Sequence, residues 1–228
     1  KTELIRCSIS KTEATIPERV TIIRYVAFMD CSSLKEINVD KKNEKYASED
    51  GVLYNKEKTE LIRCPIIDKT EMTIPEGVIK IGKFAFYGCN NLRKIEVPKG
   101  IIEIGDLAFY GCNNLRKIDV PEGVTTIGSL AFYGCNNLRK IEIPKEVLTI
   151  GDYVFLECSN LTIYSEENSH AQHYANRYNI PFKLSSEYDK DILEDNSITK
   201  PEESSSTVTP PSEIDVPQAT TTPSKDNG

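Results

Sequence analysis

Residues 85–95 read AFYGCNNLRKI, and the same eleven residues return at 108–118 and 131–141, a spacing of 23. The frame extends outward as I-P-x-x-V-x-x-I-G-x-x-A-F-Y-G-C-N-N-L-R-K-I-E. In this alignment Phe86, Phe109, Phe132 and Phe155 share a column, as do Cys89, Cys112, Cys135 and Cys158. Leu92, Leu115, Leu138 and Leu161 form a third column, and Gly82, Gly105, Gly128 and Gly151 a fourth. An earlier copy lies at 20–39, where Val20, Ile23, Phe28, Cys31, Leu34, Ile37 and Val39 match at an offset of 58. A unit this short cannot bury its apolar face alone, so such units stack and each column becomes a ladder. Ile95 and Val97 alternate with Lys94 and Glu96, the period of a strand. Stacked strands lie about 4.8 Å apart. Pro98, Pro121 and Pro144 end these strands, V-x-x-I-G makes a second extended piece, and A-F-Y-G is a compact helical or turn segment carrying the Phe inward. Arg24 stands in the Gly82 column, and Asp30 and Glu157 stand in the Gly88 column, so neither column is expected to require a positive φ.

The offset of 58 leaves room for an inserted unit at 41–74. Gly51-Val52-Leu53-Tyr54 and Glu60-Leu61-Ile62-Arg63 flank the polar Asn55-Lys56-Glu57-Lys58, the pattern of a β-hairpin. KTELIRC at 1–7 returns at 58–64, so the chain is expected to begin inside another such hairpin.

At the other end, Ala171, Tyr174, Ala175 and Tyr178 recur at helical spacing, with Asn168 or Ser169 available as N-cap and Pro181 as a stop. Residues 167–184 are therefore a capping helix and strand. The composition then changes. Residues 185–228 hold fourteen Ser/Thr, five Pro, one aromatic residue (Tyr188), ten acids and three lysines. They read as a disordered acidic linker, with a further domain expected beyond Gly228. The whole chain carries −7 over 228 residues, and this segment accounts for all of it, since residues 1–184 hold twenty-five charges of each sign. The hydrophobic content of 39%, against roughly 45–50% in ordinary domains, has the same source.

Most chemistry is disfavoured by the residues available. Seven cysteines lie at no C-x-x-C spacing, and five of them (Cys31, Cys89, Cys112, Cys135, Cys158) occupy one column, which predicts buried thiols packing as hydrophobes. Cys7 and Cys64 are equivalents in the hairpins. His170 and His173, the two histidines, fall three apart on the capping helix with no further ligand set. No phosphate loop, G-x-S-x-G or H-E-x-x-H occurs. No catalytic, cofactor or metal residue is assigned, and the chain is read as no enzyme. Net acidity argues against nucleic acid, and no apolar run approaches the ~20 residues of a membrane span. The sequon Asn160-Leu161-Thr162 lies in the ladder of Asn91, Asn114 and Asn137 and reads as coincidence.

The repeat resembles the BspA-like leucine-rich repeats of bacterial surface antigens, whose 23-residue units have the form AFxxCxxLxxIxIPxxVxxIG. The insert DGVLYNK…LIRCP resembles that family as well, as does the ending Ile163-Tyr164, then Ser169-His170-Ala171-Gln172-His173-Tyr174-Ala175, then Ile180-Pro181-Phe182. The resemblance covers about residues 1–184. It implies a secreted or surface-displayed protein used for adhesion or protein binding. The expected architecture is a right-handed, β-rich leucine-rich repeat solenoid over 1–184, with the hairpin 41–74 interposed and a linker over 185–228. The candidate partner-binding face is the outer side of the strand ladder: Arg93, Lys94 and Glu96, then Arg116, Lys117 and Asp119, then Arg139, Lys140 and Glu142. The expected partner is a protein, of host or extracellular-matrix origin, or a glycan. The alternative is a non-catalytic spacer or carbohydrate-binding module joined to another domain, an enzyme among the options. Tyr87, Tyr110 and Tyr133 form a further row suited to a peptide or sugar if exposed.

Overall fold

The computed structural model describes residues 2–4, 11–29 and 31–189. Cys7, Asp30 and the linker residues 190–228 lie outside them. The chain winds into a solenoid of about seven turns. Each coil contributes two short strands and one turn, and the 23-residue period sets the register between coils. Lys94 pairs with Lys117 and Ile95 with Ile118, while Glu103 pairs with Thr126 and Ile104 with Ile127. All of these pairings are parallel. On the third side, where no strands form, the turns still bond coil to coil: Phe86 N donates to Ala108 O at 2.7 Å and Phe109 N to Ala131 O at 2.7 Å.

The columns become ladders as expected. Phe86, Phe109 and Phe132 are fully buried, their rings 5.0 Å apart and within 14° of parallel. Leu92, Leu115 and Leu138 and the Ile95, Ile118 and Ile141 row fill the remaining core. The strand Lys94–Glu96 joins Glu71–Thr73 and Lys117–Ile118 in one three-stranded sheet. Lys140–Glu142, Thr162–Ser165 and Phe182–Leu184 form a second one. The face expected as one ladder therefore has a break in its strand bonding between Lys117–Ile118 and Lys140–Glu142.

The insert is shorter and more elaborate than a 41–74 hairpin. It is a three-stranded antiparallel meander of Tyr46–Glu49, Val52–Asn55 and Glu60–Arg63, and Glu71–Thr73 already belongs to the next coil. The missed first turn is Asp50-Gly51, both at positive φ (50° and 77°), the geometry of a tight two-residue hairpin. Val52, Leu53 and Tyr54 are all buried because this strand separates two cores. Leu53 packs with Ile16, Phe28 and Leu34 of the first coil, while Val52 and Tyr54 pack into the main solenoid. Buried Asn43 ties the meander to the first coil. Its amide donates to Pro17 O and Val20 O, and its oxygen accepts from Lys45 N and Tyr46 N.

The Gly88 column departs from expectation, and the Gly82 column meets it for a different reason than backbone freedom. Gly88, Gly111 and Gly134 all have φ of 69–70°, and Glu157 in the same column takes 68°. Positive φ is thus the rule there, and Glu157 accepts the strain. The Gly82 column has ordinary φ values but no space: a Cβ on Gly128 would lie 2.4 Å from Asp106 N. Phe84, Leu107, Leu130 and Tyr153 form a further column with φ of 52–59°. This left-handed conformation is unfavourable for bulky side chains.

The cap matches its pattern. The helix His170–Tyr178 starts at Ser169, whose side chain accepts from Gln172 N at 3.2 Å, and ends at Asn179 with φ of 55°. Tyr174 and Tyr178 close the last coil edge-on against Phe155 and Tyr153, with ring centroids 5.9 Å and 5.7 Å apart, and the Tyr178 hydroxyl donates to Asp152 at 3.1 Å. The fold continues past the expected boundary at 184. Residues Ser185–Glu187 form a 3-10 turn, and Tyr188 is buried edge-on against Tyr164, with ring centroids 5.0 Å apart. The one aromatic residue of the acidic segment closes the last coil.

Candidate functional site

The outer strand face carries a lysine row and an acid row, and an arginine row stands beside it, at the residue that precedes each strand. Lys94 Nζ lies 2.7 Å from Glu96, which also accepts from Thr73 Oγ1 at 2.9 Å, and Lys117 Nζ lies 3.5 Å from Asp119. Residues two apart on a strand share a face, so each lysine pairs with the acid of its own coil. The hydrogen bond from Lys94 holds the Glu96 carboxyl below its usual range. These two rows largely neutralise each other. Lys140 and Glu142 occupy the matching positions of the third coil and are half-buried. Arg93, Arg116 and Arg139 are exposed, and among the described residues no acidic side chain pairs with them. The three guanidinium groups are the uncompensated charge of this face.

Beside this face runs a spine that the sequence reading set aside. Asn91 Nδ2 donates to Ile67 O at 3.0 Å, Asn114 to Asn90 O at 2.8 Å and Asn137 to Asn113 O at 2.7 Å. Each asparagine satisfies a carbonyl of the preceding coil, a structural duty for the column that contains Asn160. The tyrosine row is half-buried, with rings 5.1 Å and 4.6 Å apart and nearly parallel. Burial pushes the Tyr110 hydroxyl up to about 12.

The cysteine column is a row of free thiols. Cys112 Sγ donates to Phe86 O at 3.1 Å, Cys135 to Phe109 O at 3.3 Å and Cys158 to Phe132 O at 3.1 Å. Burial pushes Cys112 and Cys135 well above the ordinary thiol range and Cys158 to about 12. The thiolate is the reactive form. A short iodoacetamide pulse on the native protein is therefore expected to leave Cys112 and Cys135 unlabelled, with Cys158 labelled slowly. Peptide mass spectrometry against a urea-unfolded control measures this, and native labelling of Cys112 at the unfolded rate would contradict it. His170 and His173 are exposed on the cap, and His173 Nδ1 lies 2.8 Å from Ser169 O. Among the described residues no three His, Cys, Asp or Glu side chains are grouped to hold a metal ion. Among the same residues no helix is long and apolar enough to cross a membrane.

Stacked parallel coils with Phe, Leu, Ile and Cys ladders define a leucine-rich repeat solenoid. More narrowly, the chain belongs to the BspA type leucine-rich repeat family, whose profile matches residues 4–65 and 64–180 in six copies. A leucine rich cell surface protein from Faecalibacterium prausnitzii is similar in structure at 32% identity and a TM-score of 0.55. That match covers 72% of this chain and 50% of the other. The pneumococcal vaccine antigen PcpA is similar at 27% identity and a TM-score of 0.56, covering 81% of this chain and 53% of the other. The chain thus spans about half the length of each. No curated protein matches the sequence.

Proposed function

We propose that the chain is a surface-displayed module that binds an acidic protein partner through its strand face, with the arginine row as the main contact. The observation that carries this reading is the contrast between neighbouring rows. Lys94 and Lys117 already have carboxylate partners, while Arg93, Arg116 and Arg139 stand exposed in register with none. Arginine binds carboxylates bidentately, so a row at coil spacing offers repeated, geometrically fixed contacts. The leucine rich cell surface protein among its structural neighbours supports extracellular display.

The test is surface plasmon resonance of the whole chain over a panel of acidic extracellular-matrix proteins, at low and at physiological salt. Arg93→Gln, Arg116→Gln and Arg139→Gln together are expected to weaken binding about tenfold or more, since exposed charge contacts contribute up to ~1 kcal/mol each. The melting temperature should barely move, because these side chains hold nothing in the fold. Unchanged affinity in the triple variant would overturn the proposal.

A further inference from the structure

A pocket of about 250 Å³ opens where the first coil, the meander and the next coil meet. It is lined by Tyr25 and Phe28 from the first coil, Tyr46 and Arg63 from the meander, and Lys83 and Phe84 from the next coil. It lies off the arginine row, so its fate is independent of the reading above. Arg63 is its unusual member. Cys64 N donates to Ala85 O as Phe86 N donates to Ala108 O, so Arg63 occupies the place that a small buried alanine holds in the regular coils. It is 5% exposed.

The guanidinium is only partly satisfied. Nη1 donates to Phe84 O at 2.8 Å and Nη2 reaches Phe28 O at a stretched 3.4 Å, while buried Nε has no partner among the described residues. Among the described residues no carboxylate pairs with Arg63. The neighbouring charges are already committed: Arg24 to Glu3, Lys83 to Asp106 at 3.3 Å and Glu60 to Lys80 at 3.9 Å. A buried guanidinium without a counter-ion is a costly arrangement that an entering anion relieves. The side-on pair Nε and Nη2, the geometry a carboxylate takes bidentately, is the under-used one. Above it the walls are aromatic. Lys83 Nζ lies 5.8 Å from the Tyr25 ring and 5.6 Å from the Phe84 ring, and Tyr25 is 66% exposed at the rim.

We infer that this pocket binds an organic carboxylate carrying one aromatic or large apolar group, about the size of a single amino acid. The volume is below the ~300–1,000 Å³ of drug-sized sites, which sets that limit. The carboxylate draws the guanidinium off Phe28 O and takes Nε and Nη2 together, and the apolar group packs on Tyr25 and Phe84 as the Lys83 ammonium turns from their rings toward the carboxylate. Such a group is either a free aromatic acid or the C-terminal residue of a polypeptide.

The experiment is NMR titration of the whole chain with N-acetylphenylalanine, following the ring protons of Tyr25 and Phe84. N-acetylphenylalaninamide is the neutral control, and a tetrapeptide ending in phenylalanine is the second arm. Saturable shifts at millimolar acid, with the amide at least about tenfold weaker, are expected. If the tetrapeptide binds as well as the acid, the source is a polypeptide C-terminus; if it is excluded while the acid binds, the source is a free acid. Arg63→Gln should abolish the shifts. Because Arg63 also splices two coils, Tyr25→Ala and Lys83→Met at the rim provide variants whose melting stays near that of the parent while affinity falls. Equal binding of acid and amide, no saturable shift, or unchanged affinity in all three variants overturns the inference.

Discussion

Gly128→Ala is expected to destabilise the solenoid by about 3 kcal/mol or more, the upper range for forcing atoms into a packed site. The added Cβ would lie 2.4 Å from Asp106 N and 2.6 Å from Gly105 C, both backbone atoms of the coil beneath. Neither can step aside without stretching the 2.8 Å bond from Gly128 N to Ile104 O that joins the coils. Gly111→Ala is the control. Its φ of 69° makes alanine unfavourable, but a Cβ there meets nothing within 4 Å. The cost should be the left-handed backbone penalty alone, about 1 kcal/mol. Thermal melts of the two variants side by side measure the difference. Equal melting temperatures would remove the close-approach account of the Gly82 column.

These glycines also mark where the sequence could be read and where it could not. The ladders, the strand period and the cap were legible because a 23-residue spacing repeats the same side chains in register, and burial follows from stacking alone. The Gly88 column misled because its two substitutions, Asp30 and Glu157, occur in coils at the ends of the stack. Glu157 lies in the last complete coil, where it takes a φ of 68°. Strain tolerated at one position says nothing about its frequency in the column. The first meander strand, Tyr46–Glu49, was not legible although Asp50-Gly51 is a strong turn signal, because Y-A-S-E carries no apolar alternation of its own. The left-handed column of Phe84, Leu107, Leu130 and Tyr153 was illegible, since bulky residues give no sign of positive φ. At the candidate partner-binding face, the three rows were legible. That lysine and acid neutralise each other within a coil while arginine stands apart is a matter of side-chain reach. Arg63 was read only as the end of a hairpin strand. Only the meeting of two cores at the meander buries it.

Phe109→Ala is expected to be the costliest single truncation in the ladder, about 3–5 kcal/mol. Its ring lies between two others, 5.0 Å from Phe86 and 5.0 Å from Phe132, and is fully buried. Near-parallel rings are not the arrangement free aromatic pairs favour over others, but strand spacing and register impose it here, with the offset the 5.0 Å separation allows. Removing the middle ring deletes both stacks and leaves a hole that rigid flanking coils cannot fill. At roughly 2–4 °C per kcal/mol for a chain of this size, the melting temperature should fall by about 6–20 °C. The form of unfolding should change as well. Solenoid stability is close to a sum of coil terms and nearest-neighbour contacts, so a hole at one coil weakens the coupling across it. Hydrogen exchange should then show the coils on the two sides of Phe109 opening at different free energies. Phe28→Ala, in the smaller core of the first coil, should leave exchange in the coils at 124–160 unchanged. A Phe109→Ala melt within about 2 °C of the parent would show that the ladder relaxes around the gap and that the stack is not what couples the coils.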